Sequence, residues 1–139
     1  TTEGGLNVIK FFDDAKNATR ELHRAGIKVT IFIEPDREMI RVVPEIGADA
    51  IEINTGKYAD AECEEERKAQ LNRIIDAAKF GKSLGLEVHA GHGLHYHNVC
   101  EIANISEISE LSIGHSIIAR AVLVGLERAV KDMLALIKG

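Results

Sequence analysis

Histidine and glycine residues are concentrated in one short segment of this chain, and together they indicate acid–base chemistry beside a bound ligand. The segment HAGHGLHYHN, residues 89–98, contains four of the six histidines in the 139-residue sequence. An imidazole can donate or accept a proton near pH 7, and glycine lets backbone N–H groups approach a ligand closely. His92, which lies between two glycines, is therefore the first candidate for a catalytic acid or base.

The same histidines could instead bind a metal or belong to a solvent-exposed loop. The spacing of His89, His92, His95 and His97 matches neither the HExxH helix nor a paired Cys/His finger, so we expect no metal ligands. A metalloprotein built on this cluster remains an alternative. We expect His95 and His97 to orient the loop or face solvent, His89 to be packed inside the fold and His23 to lie on the surface.

A second turn, IGHS at residues 113–116, has a similar composition. Its glycine and the start of the following helix suit an anion, and Ser116 is expected to add a capping hydroxyl. One glycine-rich turn is weakly specific. Two such turns at neighbouring strand ends predict a phosphate-binding site.

Glu52 is a carboxylate within an apolar segment, AIEIN, that is expected to be a buried strand. Burying a carboxylate is costly unless it meets a cation or a ligand. A salt bridge to a buried Lys or Arg would be a structural explanation, whereas perturbed carboxylates also cluster at functional sites. Glu34 has a similar position, but the following Pro35 favours a structural role.

Helix-like and strand-like patterns alternate four times along the chain, with strands expected within residues 27–35, 48–54, 86–90 and 110–114. The first helix is expected to end at Gly26, and the second to run from an Asp36 cap to Gly47. The first, third and last helices are expected to bury apolar stripes. These stripes are Phe11, Ala15, Ala18, Leu22 and Ala25; Leu71, Ile74, Ile75 and Ala78; and, in one helix from about Ser116 to Lys138, Ile118, Val122, Leu126, Ala129 and Met133.

This alternation, with strands that lack a polar face, predicts an α/β fold whose parallel sheet is covered on both faces. An open doubly wound sheet and a TIM (β/α)8 barrel both fit. The glycine turns follow the third and fourth strands rather than the first, which favours the barrel, where a phosphate site commonly follows strands seven and eight. Residues 1–139 are then expected to form four βα units, the C-terminal half of a single barrel domain, without the N-terminal strands.

Composition narrows the classes of function. The net charge is −5, and the longest acidic run is ECEEE, which argues against a nucleic-acid surface. The apolar run AVLVGL is far shorter than a membrane span. Two cysteines are too few for the disulfide framework that stabilises a small secreted protein. We therefore expect a soluble, cytoplasmic protein.

Four motifs in order, TTEGGL, IEINTGKYADA, AGHGLHYHNV and IGHSIIARAV, resemble the pyridoxine 5′-phosphate synthase family, the PdxJ-type enzymes of vitamin B6 biosynthesis, over essentially all 139 residues. The resemblance implies a TIM barrel that condenses 1-deoxy-D-xylulose 5-phosphate with 3-amino-2-oxopropyl phosphate. Phosphate and water are released, with no metal or organic cofactor. It also implies a homo-oligomer with phosphorylated small-molecule substrates.

The resemblance further implies that Thr1 contacts the deoxyxylulose phosphate, that Glu52 stabilises a cationic transition state and that His92 is the proton donor. It assigns the aminooxopropyl phosphate to Gly93, Gly114 and His115. The family carries a histidine and a glutamate base on earlier strands that this sequence lacks. We therefore expect the chain alone to make little or no pyridoxine phosphate. A non-catalytic, phosphate-ligand-binding half barrel remains the alternative.

Overall fold

Four parallel strands form one sheet in the order β1-β2-β3-β4 in the computed structural model, which describes residues 4–138. Each strand pairs with the next in the sequence, with Ile31 beside Ile51 and Ala90 beside both Ile53 and Leu111. The predicted α/β class and parallel pairing are therefore confirmed. The strands are β1 (Thr30–Ile33), β2 (Ala50–Asn54), β3 (Glu87–Gly91) and β4 (Glu110–Ser112).

Helices separate the strands, and their ends follow local sequence signals. The helices are α1 (Phe12–Arg24), α2 (Arg37–Ile46), α3 (Gly56–Ala59), α4 (Glu64–Ser83), α5 (Val99–Ala103), α6 (His115–Val124) and α7 (Leu126–Lys138). As predicted, the Asp36 side chain caps α2 by accepting from the backbone N–H groups of Glu38 and Met39, and Gly47 ends the helix in the left-handed conformation. The one-turn α3 was not predicted.

The two faces of the sheet differ, which contradicts the expectation of strands without a polar face. Ile33, Ile53 and Val88 lie on the face that packs against α2 and α4, in a core shared with Ile40 and Ile74. The opposite face carries polar residues in register, and the half-buried side chains of Glu52 and His89 lie there. The expectation failed because the strands are short. In each of β2 and β3, one polar residue between two apolar neighbours is too weak a pattern to reveal a polar face.

The last helix is not continuous, which corrects a second expectation. Gly125 has φ 84° and ψ 152°, a conformation open essentially to glycine alone, and it separates α6 from α7. The chain reverses direction there, and α7 packs against α6. An ion pair between Arg120 and Asp132 links the two helices. Ala129 and Met133 are buried as expected. Three members of the predicted inward stripe are instead exposed, Ile118 by 59%, Val122 by 82% and Leu126 by 57%.

The outer edge of β1 and the apolar stripe of α1 enclose an open groove of 540 Å³. Most of the predicted stripe lines this groove. Its members are not buried as expected: Ala15 is half-buried, and the exposed members are Phe11, Ala18, Leu22 and Ala25. The N-terminal segment covers part of the strand edge, where the Leu6 N–H donates to the Phe32 carbonyl at 2.8 Å. Gly5 lies so close that an added Cβ would be 2.4 Å from the Glu34 nitrogen. Within residues 4–138, no helix is both long and apolar enough to cross a membrane.

Candidate functional site

Glu52 lies in a row of side chains that crosses the polar face of the sheet. Phe32 pairs with Glu52, and Glu52 with His89, so these three residues occupy equivalent positions on adjacent strands. One row closer to the carboxyl ends of the strands, Gly91 lies between Asn54 and Ser112. Because side chains two residues apart share a face, the two rows form one surface that leads to the strand ends.

The Glu52 carboxylate occupies space that glycine leaves on the neighbouring strand. A Cβ built on Gly91 would lie 2.3 Å from Glu52 Oε1, so no other residue fits there without displacing the carboxylate. Glu52 is half-buried, and within residues 4–138 no hydrogen bond or ion pair holds its carboxylate. The structural explanation of a salt bridge to a buried Lys or Arg therefore finds no support in the described part of the chain.

His92 follows β3 and has an unusual backbone conformation. Its φ is +81°, the only positive value for a residue other than glycine among residues 4–138. The Thr55 hydroxyl contacts two successive carbonyl oxygens, those of Gly91 at 2.8 Å and His92 at 2.5 Å. The imidazole packs near Phe32, with ring centroids 6.4 Å apart, and against Gly56, where a Cβ would be 3.0 Å from its Cδ2 atom. The surroundings therefore fix both the backbone and the ring of His92.

The loop that follows His92 is held by Asn98 and Tyr58. The Asn98 side chain accepts from the His95 N–H at 2.7 Å and donates to the Gly93 carbonyl at 3.2 Å. The hydroxyl of Tyr58, which is buried in α3, donates to the Asn98 carbonyl at 2.7 Å. Gly93 itself has φ +75°, and a Cβ there would lie 2.6 Å from that of Ala59. These contacts make the glycine turn a rigid part of the site.

The second glycine turn leads into α6. Gly114 precedes the helix and has open space where a side chain would be, and His115 is its first residue. The first N–H groups of a helix lack partners within it, and the helix dipole favours an anion at that end. Ser116 does not cap the helix, which corrects the prediction, because its hydroxyl donates to the Leu94 carbonyl at 2.9 Å. That bond ties the two glycine turns together.

The predicted site residues that the structure describes line one open cavity of 940 Å³, within the range of ligand-binding pockets. Its lining includes three imidazoles, one carboxylate and, among the described lining residues, no lysine or arginine. The lining residues that carry these groups or belong to the two glycine turns are Glu52, His92, Gly93, His95, Gly114 and His115. An anion there would be held by backbone N–H groups and imidazoles. Thr1 lies outside the described residues.

Glu34 directly follows β1, does not line this cavity and has a structural environment. Its carboxylate accepts from the Asn54 side chain at 2.7 Å and from the Gly5 N–H at 3.2 Å, and Lys57 Nζ is 3.5 Å away. Partial burial alone would raise the pKa of Glu34. The hydrogen bonds from Asn54 and Gly5 and the charge of Lys57 outweigh it, and the pKa is lowered. The arrangement supports the structural role predicted for this residue.

The remaining histidines have separate surroundings. The His89 side chain, 13% exposed, is 3.8 Å from the Glu87 carboxylate on the same strand. His97 is exposed, its backbone N–H donating to His95 Nδ1, and His23 on the surface is 2.8 Å from Asp49. Within residues 4–138, no three His, Cys, Asp or Glu side chains come together as a metal site.

Sequence reasoning missed Thr55 and Asn98, which hold the first glycine turn. Neither carries a charge or belongs to a known ligand spacing. Thr55 contacts backbone atoms 36 and 37 positions away in the sequence, whereas Asn98 contacts the backbone of its own loop, three and five positions away. A weak signal existed for Thr55, because a hydroxyl directly after a buried strand needs a partner. The partner's identity required the structure.

Comparisons with known proteins identify sequences similar to this chain. The family model described as "Pyridoxal phosphate biosynthesis protein PdxJ" matches residues 1–139. A protein of Idiomarina loihiensis named pyridoxine 5′-phosphate synthase is 53% identical over 133 residues, which cover 96% of this chain and 55% of that protein. Proteins of the same name from Syntrophobacter fumaroxidans and Legionella pneumophila are 49% and 51% identical, over 100% and 99% of this chain and 58% and 56% of theirs. This chain spans just over half the length of these relatives.

Proposed function

The chain belongs to the PdxJ family of pyridoxal phosphate biosynthesis proteins, and we propose that it supplies half of the catalytic barrel of a pyridoxine 5′-phosphate synthase. Such an enzyme would condense 1-deoxy-D-xylulose 5-phosphate with 3-amino-2-oxopropyl phosphate, without a metal or organic cofactor. In this proposal residues 1–139 are the C-terminal half of one TIM-barrel domain. The polar face of the sheet, bearing Glu52 and His89, would face the barrel interior.

The polar face of the sheet supports this assignment. In a barrel, one face of every strand points inward, and catalytic groups collect at the carboxyl ends of the strands. Phe32, Glu52 and His89 place the side chains of three adjacent strands on one face of the sheet, the face that would point inward. The cavity and both glycine turns lie at the carboxyl ends of the strands, as the proposal requires.

Glu52 and His92 match the chemical needs of the condensation. Joining an amine to a ketone passes through a carbinolamine and an iminium ion, so water leaves with a proton supplied and a positive nitrogen needs a negative charge nearby. We assign the proton donor to His92 and the stabilising charge to Glu52. The carboxylate of Glu52, which lies against Gly91 and has no hydrogen-bond or ion-pair partner among residues 4–138, would be available to a cation that arrives with the substrate.

The two glycine turns would hold the phosphate of 3-amino-2-oxopropyl phosphate. Gly93, Gly114 and His115 line the same cavity as the two catalytic candidates. The first N–H groups of α6 have no partner within the helix and would be available to the phosphate. The Ser116 bond to Leu94 keeps the turns together. Thr1 would contact the deoxyxylulose phosphate.

Two further features support the expected setting of the enzyme. Val122 and Leu123 on α6 are more than 80% exposed, and large exposed apolar patches mark interfaces, so we propose a homo-oligomer. Cys63 and Cys100 are unpaired and exposed, which supports a reducing, cytoplasmic location.

The observation that carries the proposal is the convergence of Glu52, His92 and the α6 N-terminus on one cavity. The test is His92→Asn in the complete polypeptide, meaning an enzyme that contains both halves of the proposed barrel. Because asparagine tolerates a positive φ, this variant removes the imidazole without adding the backbone strain of most replacements. We expect turnover to fall by about 100-fold or more, measured as pyridoxine 5′-phosphate formed from the two substrates.

His97→Asn is the matched control, because His97 is exposed in the same segment and does not line the cavity. It should leave turnover unchanged. If the chain is instead a non-catalytic binding module, wild-type protein makes no product and His92→Asn binds phosphorylated ligands as the wild type does. That result would reject the enzyme proposal.

A further inference from the structure

We propose that Thr55 is a positioning residue for His92: its buried hydroxyl binds the carbonyl groups on either side of His92 and holds the backbone in the left-handed conformation that aims the imidazole. This inference rests on the proposed role of His92 as the proton donor. Thr55 itself is fully buried and does not line the cavity, so it acts only through its neighbour.

The geometry of the two carbonyl groups carries the argument. In an extended strand, successive carbonyls point to opposite sides, because the backbone alternates with a period of two residues. Here the carbonyl oxygens of Gly91 and His92 both lie within hydrogen-bonding distance of one atom, Thr55 Oγ1, at 2.8 Å and 2.5 Å. Fixing the peptide groups on both sides of a residue fixes its φ and ψ. The hydroxyl therefore sets the conformation of His92.

The conformation needs such support because it is unfavourable for a residue with a side chain. A residue other than glycine at φ +81° is held there only when its surroundings over-determine it. Thr55 is well anchored for this purpose, since its own backbone N–H donates to the Gly91 carbonyl at 2.8 Å. Without the hydroxyl, the peptide after His92 loses this partner, and the imidazole can leave its position between Phe32 and Gly56.

The phosphate site should respond less than the proton donor. Gly114 and His115 belong to α6, whose link to the first glycine turn is the Ser116–Leu94 bond rather than Thr55. A change at Thr55 should therefore alter the position of His92 more than the binding of phosphate at α6. This difference separates a positioning role from a general loss of folding.

The experiment compares Thr55→Val, Thr55→Ser and Thr19→Val in the complete polypeptide. Valine keeps the shape of threonine and removes the hydroxyl, serine keeps the hydroxyl, and Thr19 is a similarly buried threonine in α1 outside the candidate site. We expect kcat to fall by about 100-fold in T55V, because a displacement near 1 Å has that effect on positioned groups. T55S and T19V should stay close to wild type, and KM for 3-amino-2-oxopropyl phosphate should change little in all three variants.

Turnover of T55V close to wild type, or of T55S as poor as T55V, would overturn the inference. If T55V is insoluble, the pair T55A and T55S provides the same comparison. A crystal structure of T55V or T55A gives a readout independent of activity: φ of His92 should leave the left-handed region. If the wild-type polypeptide makes no product, the proposed function fails, and the value of φ in the variant still decides the role of Thr55.

Discussion

Replacing Gly91 with alanine should impair catalysis and lower stability moderately. Gly91 does not have a positive φ, so an alanine there introduces no backbone strain of its own. The added Cβ would lie 2.3 Å from Glu52 Oε1, 2.9 Å from Ser112 Cβ and 3.1 Å from the Ser112 carbonyl oxygen. The shortest contact is with the end of a flexible side chain. The carboxylate of Glu52 therefore has to move, and Ser112, whose Cβ and carbonyl oxygen are fixed to the backbone of β4, has to give way as well.

The size of the effect follows from these distances. Carbon and oxygen atoms approach to about 3.3 Å in ordinary contacts, so the carboxylate must shift by roughly 1 Å. A shift of this size in a positioned group lowers turnover by up to about 100-fold, or about 2.7 kcal/mol of transition-state stabilisation. The contacts with Ser112 overpack the β3–β4 pair, which costs about 1–3 kcal/mol. The restriction of the unfolded chain by alanine offsets only about 0.4–1 kcal/mol of this.

Gly81→Ala is the matched control, because it adds the same methyl group on the helix-covered face of the sheet. Its Cβ would lie 2.7 Å from Ile51 Cδ1 and 3.3 Å from Val88 Cγ2, within the core. Overpacking of this kind costs about 1–3 kcal/mol, partly offset by about 1 kcal/mol of helix propensity. G81A should therefore lose stability and keep the turnover of its folded fraction.

The assay is product formation from both substrates by the complete polypeptide, with urea unfolding of each variant beside it. The expected result is a separation: both variants lose some stability, but only G91A loses turnover of its folded fraction. Turnover of G91A within about twofold of wild type would show that the position of Glu52 does not matter to the reaction. The role assigned to its carboxylate would then be wrong.

Three further predictions concern the whole chain and its charges. The 139-residue chain alone is expected to make little or no pyridoxine 5′-phosphate, because the family resemblance implies two bases on strands that residues 1–139 do not contain; turnover at the level of the intact enzyme would contradict this. Because the pKa of Glu34 is lowered, its ionised form stabilises the fold at pH values above the ordinary carboxyl pKa, and this contribution is lost as the pH falls below about 4. Glu34→Gln should therefore lose less stability than the wild type in acid unfolding curves. Elemental analysis should find no stoichiometric zinc in the purified protein, and one zinc per chain would favour the metalloprotein reading of the histidine segment.

The sequence was sufficient for the helix-covered half of the fold. Periodicity located four strands, and Asp36 and Gly47 marked the ends of α2, because these signals are local. Two failures had non-local causes. The break at Gly125 is a chain reversal that depends on the packing of α7 against α6. The apolar spacing of α6 predicts a buried stripe, but Val122 is not covered by any of the described residues.

The candidate site was predictable to the extent that its residue types are unusual at their positions. A carboxylate between two isoleucines and a histidine between two glycines stand out without a structure. Thr55 does not, because its role depends on two carbonyl oxygens more than 35 positions away. Chemical groups can therefore be read from residue types, whereas the contacts that hold them require coordinates.

The two faces of the sheet divide stability from chemistry, and this division explains why the site can contain strained and unpaired groups. The face with Ile33, Ile53 and Val88 packs against helices and supplies the hydrophobic core. The polar face can then hold a carboxylate without a described partner at Glu52 and a left-handed backbone at His92, each unfavourable in isolation. Ile53 and Glu52 are neighbours in β2 and point to opposite faces of the sheet, so substitutions at these two positions should affect different properties. Ile53→Val should lower stability by about 0.5–1.5 kcal/mol and spare the reaction, whereas Glu52→Gln should spare stability and slow the reaction.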